Sequence, residues 1–139
     1  MMSVYNKYDQ TIADVFNKKH DFSADTFKYA LSNTLPSVAD NTLAEVSEIA
    51  SGNGYAAGGT QVAITSSTQS GGVLSVVPTA DVVFTASGGS IGPFQYVAFY
   101  NSTPAGGLTV SYFDRGSPVT LLDTETFTVD VQATLFTAS

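Results

Sequence analysis

The strongest constraint on the fold is the apolar run at residues 94–100, which follows a glycine-rich segment at residues 85–92. The run is built from aromatic and β-branched residues: Phe94, Tyr96, Val97, Phe99 and Tyr100. Such side chains pack well on a pleated surface, and the scarcity of polar residues between them indicates a strand covered on both faces. Pro93 donates no backbone hydrogen bond, which the start of a strand tolerates. We therefore expect a central strand with the other strands arranged around it.

Apolar segments with strand character recur along most of the chain, separated by turns that contain glycine, proline or aspartate. Residues 26–32 alternate between apolar and mostly polar side chains, and the glycine pair in residues 69–72 favours a hairpin turn. A spacing of about ten residues between strands is typical of an antiparallel sandwich or barrel. We predict a mainly β protein, an antiparallel β-sandwich of jelly-roll-like form. Its 139 residues are expected to form a single domain, residues 1–139.

One or two short helices are expected in the N-terminal half. Residues 9–20 carry a one-sided apolar stripe at helical spacing, formed by Ile12, Val15 and Phe16. Asp9 is a candidate cap, and the expected last turn is basic: Lys18, Lys19 and His20. Residues 42–49 form a second, shorter candidate with a capping-box spacing. The first helix lies either on the body of the protein or, as part of an N-terminal arm at residues 1–25, on a neighbouring subunit.

The charge of the chain is distributed unevenly. The formal net charge is −7, yet the first 28 residues hold four lysines against four aspartates and are neutral. The rest of the chain, the body, has Arg115 as its only cation against eight acids and carries the whole −7. Nucleic-acid binding requires a basic face that neutralises phosphates, so we expect no nucleic-acid partner. Charged residues make up only 12% of the chain, and a surface of that kind suits packing against other subunits.

No motif in the sequence supports catalysis or a cofactor. The chain has no cysteine and a single histidine, which excludes disulfides and the usual zinc sites. Residues 88–92 match the G-x-S-x-G pattern of hydrolases, but a proline and a strand follow where that motif requires a helix. His20 also precedes the serine, whereas such hydrolases place their histidine last. We expect a protein that is not an enzyme, with no cofactor and no metal.

Four polar residues leave alternatives open. Asp123 and Glu125 are either solvated turn residues or ligands of a weak calcium site. Asn101 begins a glycosylation sequon, which matters only in a secretory pathway. Arg115 either pairs with an acid such as Asp114 or Asp123, or contacts a partner.

The sequence also bears on where the protein is found. No stretch approaches the roughly 18 apolar residues of a membrane span, and the N-terminus lacks the apolar core of a secretory signal. We expect a protein made in the cytoplasm, with no membrane partner.

Four segments of the sequence are similar to segments of a known group of proteins: residues 5–8, 13–15, 44–59 and 87–96. Together they resemble small virion structural proteins of tailed phages and prophages, and most closely the capsid cement, or decoration, proteins with a jelly-roll-like sandwich. The two glycine-rich blocks are the most specific part of the likeness, which runs over most of the chain.

The resemblance implies a protein on the capsid exterior, made in the bacterial host, that bridges major capsid subunits and forms a homodimer or homotrimer. A tail or head–tail connector component is the first alternative, and a carbohydrate-binding sandwich is the second. The residues we expect at the partner interface are Tyr5, Lys7, Tyr8, Phe16, Lys18, Lys19 and Arg115.

Overall fold

A computed structural model describes residues 4–78, 80–129 and 136–138. It confirms the prediction of a mainly β fold with antiparallel strands. The strands are β1 (Val4–Lys7), β2 (Phe27–Ser32), β3 (Thr60–Val62), β4 (Ile64–Ser70), β5 (Val73–Pro78), β6 (Val82–Thr85), β7 (Ile91–Asn101), β8 (Leu108–Leu121), β9 (Thr126–Val129) and β10 (Phe136–Ala138). The helical elements are α1 (Thr11–Phe16) and a single 3-10 turn, Leu43–Glu45.

Strand β7 lies at the centre of the largest sheet, as the apolar run predicts. This sheet has five strands in the order β1-β8-β7-β2-β3, and β7 pairs with both β2 and β8. Residues 96–101 of β7 are all buried, because the sheet is covered on both of its faces. Val97 and Phe99 point into the main core, whereas Tyr96 and Ala98 point into a second cluster on the opposite face.

Two smaller sheets complete the fold. The first has three strands in the order β10-β5-β4, and the second consists of β6 paired with β9. The predicted hairpin at residues 69–72 is confirmed: Ser70 pairs with Val73 across a two-residue turn. Gly71 and Gly72 both have positive φ, which is the backbone conformation that such a turn requires.

The main core lies between the five-stranded sheet and the two smaller ones. Phe27 and Phe99 enter it from the large sheet, Val76 from the three-stranded sheet, and Phe84 and Phe127 from the two-stranded sheet. Packing in two layers is consistent with the predicted β-sandwich. The jelly-roll connectivity stays a prediction.

The second cluster covers the outer face of the five-stranded sheet. It joins Tyr8, Val46, Tyr96, Ala98 and Tyr112. Tyr8 is 0% exposed, its ring lies 5.5 Å from that of Tyr112, and burial raises the pKa of its hydroxyl. Tyr8 is thus a core residue, so its side chain is not part of the exposed surface on which we predicted it.

Residues 42–49 form a shorter element than predicted. Glu45 accepts the Thr42 N–H as the capping-box spacing predicts, but only the 3-10 turn follows. Val46 turns inward to the tyrosine cluster and Ser47 has a φ of 40°, which ends the helical geometry. The predicted second helix is therefore wrong beyond residue 45.

Glu48 holds the glycine-rich loop at residues 50–59 against the large sheet. Its Oε2 accepts hydrogen bonds from the Tyr55 hydroxyl at 2.5 Å and from the Gly58 N–H at 2.6 Å. The Tyr55 hydroxyl in turn accepts the Leu31 N–H, so the loop is bonded to β2 through a side chain. Tyr100 reaches the same loop from β7 by donating to the Gly58 carbonyl, and burial raises its pKa to about 12.

Candidate functional site

The predicted N-terminal helix is shorter than residues 9–20. Helix α1 ends at Phe16 because Lys18 adopts a left-handed conformation, with a φ of 61°. The Lys19 N–H then bonds back to the Asp14 carbonyl, which closes the helix end. Lys18, Lys19 and His20 consequently lie beyond the helix and not in its last turn. The cap residue is Gln10, which makes no side-chain capping bond, so the prediction for Asp9 is also wrong.

Helix α1 buries polar residues and exposes an aromatic one. Thr11 and Asp14 are its buried residues, and the Thr11 hydroxyl donates to the Val110 carbonyl of β8 at 2.7 Å. Ile12 and Val15 pack against the main core, but Phe16 is 81% exposed. The predicted apolar stripe is therefore wrong at Phe16. Burying a phenylalanine is worth roughly 1.5–3 kcal/mol, a gain that this side chain does not receive within one copy of the chain.

A buried polar network fixes the segment that follows α1. Asn101, at the end of β7, donates from Nδ2 to Asp25 Oδ2 at 2.6 Å, and the same atom lies 3.3 Å from His20 Nδ1. His20 Nε2 lies 3.9 Å from Asp14 Oδ2, and Lys19 Nζ lies 3.6 Å from Asp14 Oδ1. The network thus ties α1 and residues 19–25 to the central strand. Sequence reasoning missed it, because its members are distributed over 88 residues from Asp14 to Asn101.

His20 is expected to titrate below its usual range. Burial lowers its pKa, and the neighbouring Asp14 and Asp25 only partly oppose that effect. As the pH falls through about 6.5, His20 binds a proton in the unfolded chain but stays neutral in the folded chain. The free energy of unfolding therefore decreases as the pH drops below that value. Because the chain has one histidine, its imidazole proton signals in an NMR titration report this pKa directly. A pKa at or above 6.5 would contradict the burial seen in the structure.

The Asn101 sequon is not available for modification in the folded protein. Asn101 is fully buried, and its Nδ2, the atom that would be glycosylated, donates to Asp25. Its Oδ1 accepts the Thr103 N–H. Asn101 is a structural residue of the network.

The other predicted interface residues lie on strands and not on α1. Tyr5 and Lys7 belong to β1, where they pair with Phe113 and Ser111 of β8. The guanidinium of Arg115 donates to the Ser117 carbonyl at 2.8 Å and to its hydroxyl at 3.1 Å. Arg115 thus bonds to Ser117 and not to Asp114, one of the acids with which we predicted it to pair. Asp114 Oδ1 instead accepts hydrogen bonds from the Gln95 side chain and the Gly116 N–H.

Three turns meet at one end of the molecule and form what we name the loop end, residues 51–54, 87–90 and 122–125. The Gly88 N–H donates to Asp123 Oδ1 at 2.9 Å, and Asn53 Nδ2 donates to the Ser90 carbonyl at 2.9 Å. The two glycine-rich blocks that we singled out in the sequence are therefore joined here. Glu125 Oε1 accepts the Leu122 N–H. Within the described residues, no group of three acids, histidines or cysteines is placed to hold a metal ion.

A weakly polar surface adjoins the loop end. We name it the β6–β9 face, and it consists of the outward side chains of the two-stranded sheet: Val83, Thr85, Thr126 and Thr128. All four are exposed, and Val83 is 50% exposed. Leu122 is an exposed apolar residue at the turn that leads into β9. The face carries no charge, although the body has a net charge of −7.

Comparison with protein-family models, with curated proteins and with solved structures gives no match for this chain. Among the residues that the structure describes, no helix has the length and apolar character needed to cross a membrane.

Proposed function

We propose that the protein is a non-enzymatic structural component of a tailed-phage virion. It acts as a cement, or decoration, protein that binds the outer surface of the head and stabilises the contacts between major capsid subunits. The exposed, uncharged β6–β9 face, with Val83 50% exposed on it, supports this proposal. The sequence resemblance to cement proteins supplies the class of partner.

The composition of the β6–β9 face favours contact with another protein. The cores of protein interfaces are depleted in charged residues, because a charge removed from water costs free energy unless it is paired. Val83 offers apolar area on this face and Leu122 offers more at the adjoining loop end, while the threonine hydroxyls of β6 and β9 can hydrogen-bond to a partner. The loop end beside this face is already bonded internally through Asn53 and Asp123, which limits the entropy lost on binding.

The mechanism is linkage between binding and shell stability. A protein that binds the assembled shell and not its separate subunits shifts the equilibrium towards the shell. At a free concentration 100 times its Kd, each bound copy contributes about 2.7 kcal/mol. Summed over many contacts between capsid subunits, this stabilisation resists the internal pressure of a filled head.

Substitution of Val83 tests the proposal, and the experiment is binding to purified heads that lack the protein. Val83→Asp places a charge on the β6–β9 face, opposite Thr128, and is expected to weaken head binding at least about tenfold. Val73→Asp is the matched control, since Val73 is 36% exposed on the β4–β5 hairpin, which belongs to a different sheet. Equal binding by the two variants would contradict the assignment of the face.

The number of copies in each virion tests the function itself. We expect a fixed stoichiometric ratio to the major capsid protein, measured by quantitative mass spectrometry of purified particles. A few copies for each particle would place the protein in the tail or connector. Absence from particles would overturn the virion assignment.

A further inference from the structure

We infer that α1 and the segment that follows it join two copies of this chain in a dimer with two-fold symmetry, in which Phe16 of each copy enters a depression on the other. We name this surface the α1 face, and it comprises residues 15–23. It shares no residue with the β6–β9 face, so the inference does not rest on the proposed function.

Phe16 is the projecting part of the α1 face. Its side chain is 81% exposed, while the helix beneath it is held by the Thr11 bond to β8 and by the buried Asp14. A rigid support means that little conformational freedom is lost when the ring is buried by a partner. Large aromatic side chains held in this way are the usual anchors of protein interfaces.

The depression lies immediately beside Phe16 in the chain. It is open, has a volume of about 500 Å³, and is lined by Val15, Lys18, His20, Asp21, Phe22 and Ser23. A cavity of roughly 150 Å³ is enough to hold benzene, so the depression has room for a phenylalanine ring. Val15 and Phe22 give it apolar walls, and Phe22 is fixed by stacking on the core residue Phe27 at 4.9 Å.

The charges around the depression of one copy are complementary to those of a second copy related to it by a two-fold axis. Lys18 and Asp21 are both exposed and carry opposite signs. Hydrogen bonds from Ser23 lower the pKa of the Asp21 carboxyl, which keeps it ionised. In an interface with two-fold symmetry, Lys18 of one copy can meet Asp21 of the other, and the same contact then occurs twice.

The charge of the chain favours the α1 face as the point where two copies meet. Each body carries −7, so body-to-body association brings like charges together. The first 28 residues are neutral and include the whole α1 face. Contact through this segment therefore brings no net like charge together at the interface.

The first test is the oligomeric state of purified full-length protein, measured by sedimentation equilibrium over a series of concentrations. We expect a reversible dimer for the wild type and a dimer Kd at least tenfold weaker for Phe16→Asp. Leu35→Asp is the matched control, because Leu35 is 61% exposed on a different loop, and this variant should dimerise like the wild type. A monomeric wild type at every concentration, or an unchanged Phe16→Asp dimer, would overturn the inference.

A charge-exchange experiment tests the Lys18–Asp21 contact. Lys18→Glu and Asp21→Lys each place like charges opposite one another in the homodimer and are expected to weaken it. An equimolar mixture of the two variants restores an opposite pair at both contacts, so the heterodimer should be tighter than either homodimer. A local change in the Asp21 turn cannot produce that recovery, because the same chains are present alone and mixed. A mixture no tighter than the homodimers would refute the arrangement.

Discussion

Replacement of Gly59 by alanine is expected to destabilise the protein by at least about 4 kcal/mol, which is among the largest effects of a single substitution. Gly59 is the last residue before β3, where the backbone passes very close to β2. A Cβ atom at this position would overlap the Tyr29 carbonyl oxygen and lie 2.6 Å from its carbonyl carbon. Since Tyr29 pairs with Thr60, the residue that follows Gly59, the clash can be relieved only by displacing β3 from β2. Urea unfolding followed by circular dichroism measures the loss.

Gly88→Ala is the matched control for Gly59→Ala. Gly88 has a φ of 78°, almost the same as the 79° of Gly59, but no atom lies within 4 Å of its added Cβ. Both variants incur the cost of a left-handed alanine, roughly 1–2 kcal/mol, and only Gly59→Ala adds the backbone clash. Similar stability losses in the two variants would show that β2 and β3 do not approach as closely as the structure indicates.

Replacement of Asn101 by aspartate is expected to cost about 3–5 kcal/mol at pH 7. The two side chains have nearly the same shape, but the change replaces the N–H₂ donor that faces Asp25 Oδ2 at 2.6 Å with a second carboxylate. Two carboxylates this close cannot both remain ionised, so the pKa of one of them rises. The folded variant therefore binds an additional proton as the pH falls, and its deficit relative to the wild type narrows between pH 7 and pH 4.

Urea unfolding of both proteins over that pH range measures the deficit of Asn101→Asp. Asn53→Asp is the control, because Asn53 also donates from Nδ2 to an oxygen, the Ser90 carbonyl, but it is exposed at the loop end. Water screens the new charge there, and we expect a loss of about 1 kcal/mol. A deficit for Asn101→Asp that does not change with pH would exclude carboxylate repulsion as its cause.

The parts of the fold that depend on local pattern could be predicted from the sequence. The central strand follows from the apolar run that β7 contains, and the β4–β5 hairpin follows from Gly71 and Gly72. Both signals lie within about ten neighbouring residues. The ends of α1 could not be found in this way, because neither the left-handed backbone of Lys18 nor the burial of Asp14 follows from the spacing of the apolar residues.

The candidate surfaces were predicted only in part. Phe16 and Lys18 do lie on an exposed face, whereas Tyr8 is buried among tyrosines that come from β7 and β8. Helical spacing places Phe16 on the same stripe as Ile12 and Val15, so the pattern alone predicts that it is buried. One available signal for the network was Asn101, a polar residue that directly ends the most apolar run of the chain.

The order of strands in the large sheet has a consequence for synthesis on the ribosome. Strand β2 lies between β3 and β7, and its first residue, Phe27, pairs with Asn101. A ribosome adding about 5–20 residues per second needs several seconds to make the intervening chain. During that interval the edge of β2 that pairs with β7 has no partner, and its other edge can pair only with the short β3. The emerging chain therefore exposes a half-paired, apolar strand until its second half is made. The rate of folding is governed by contacts between residues that are distant in sequence.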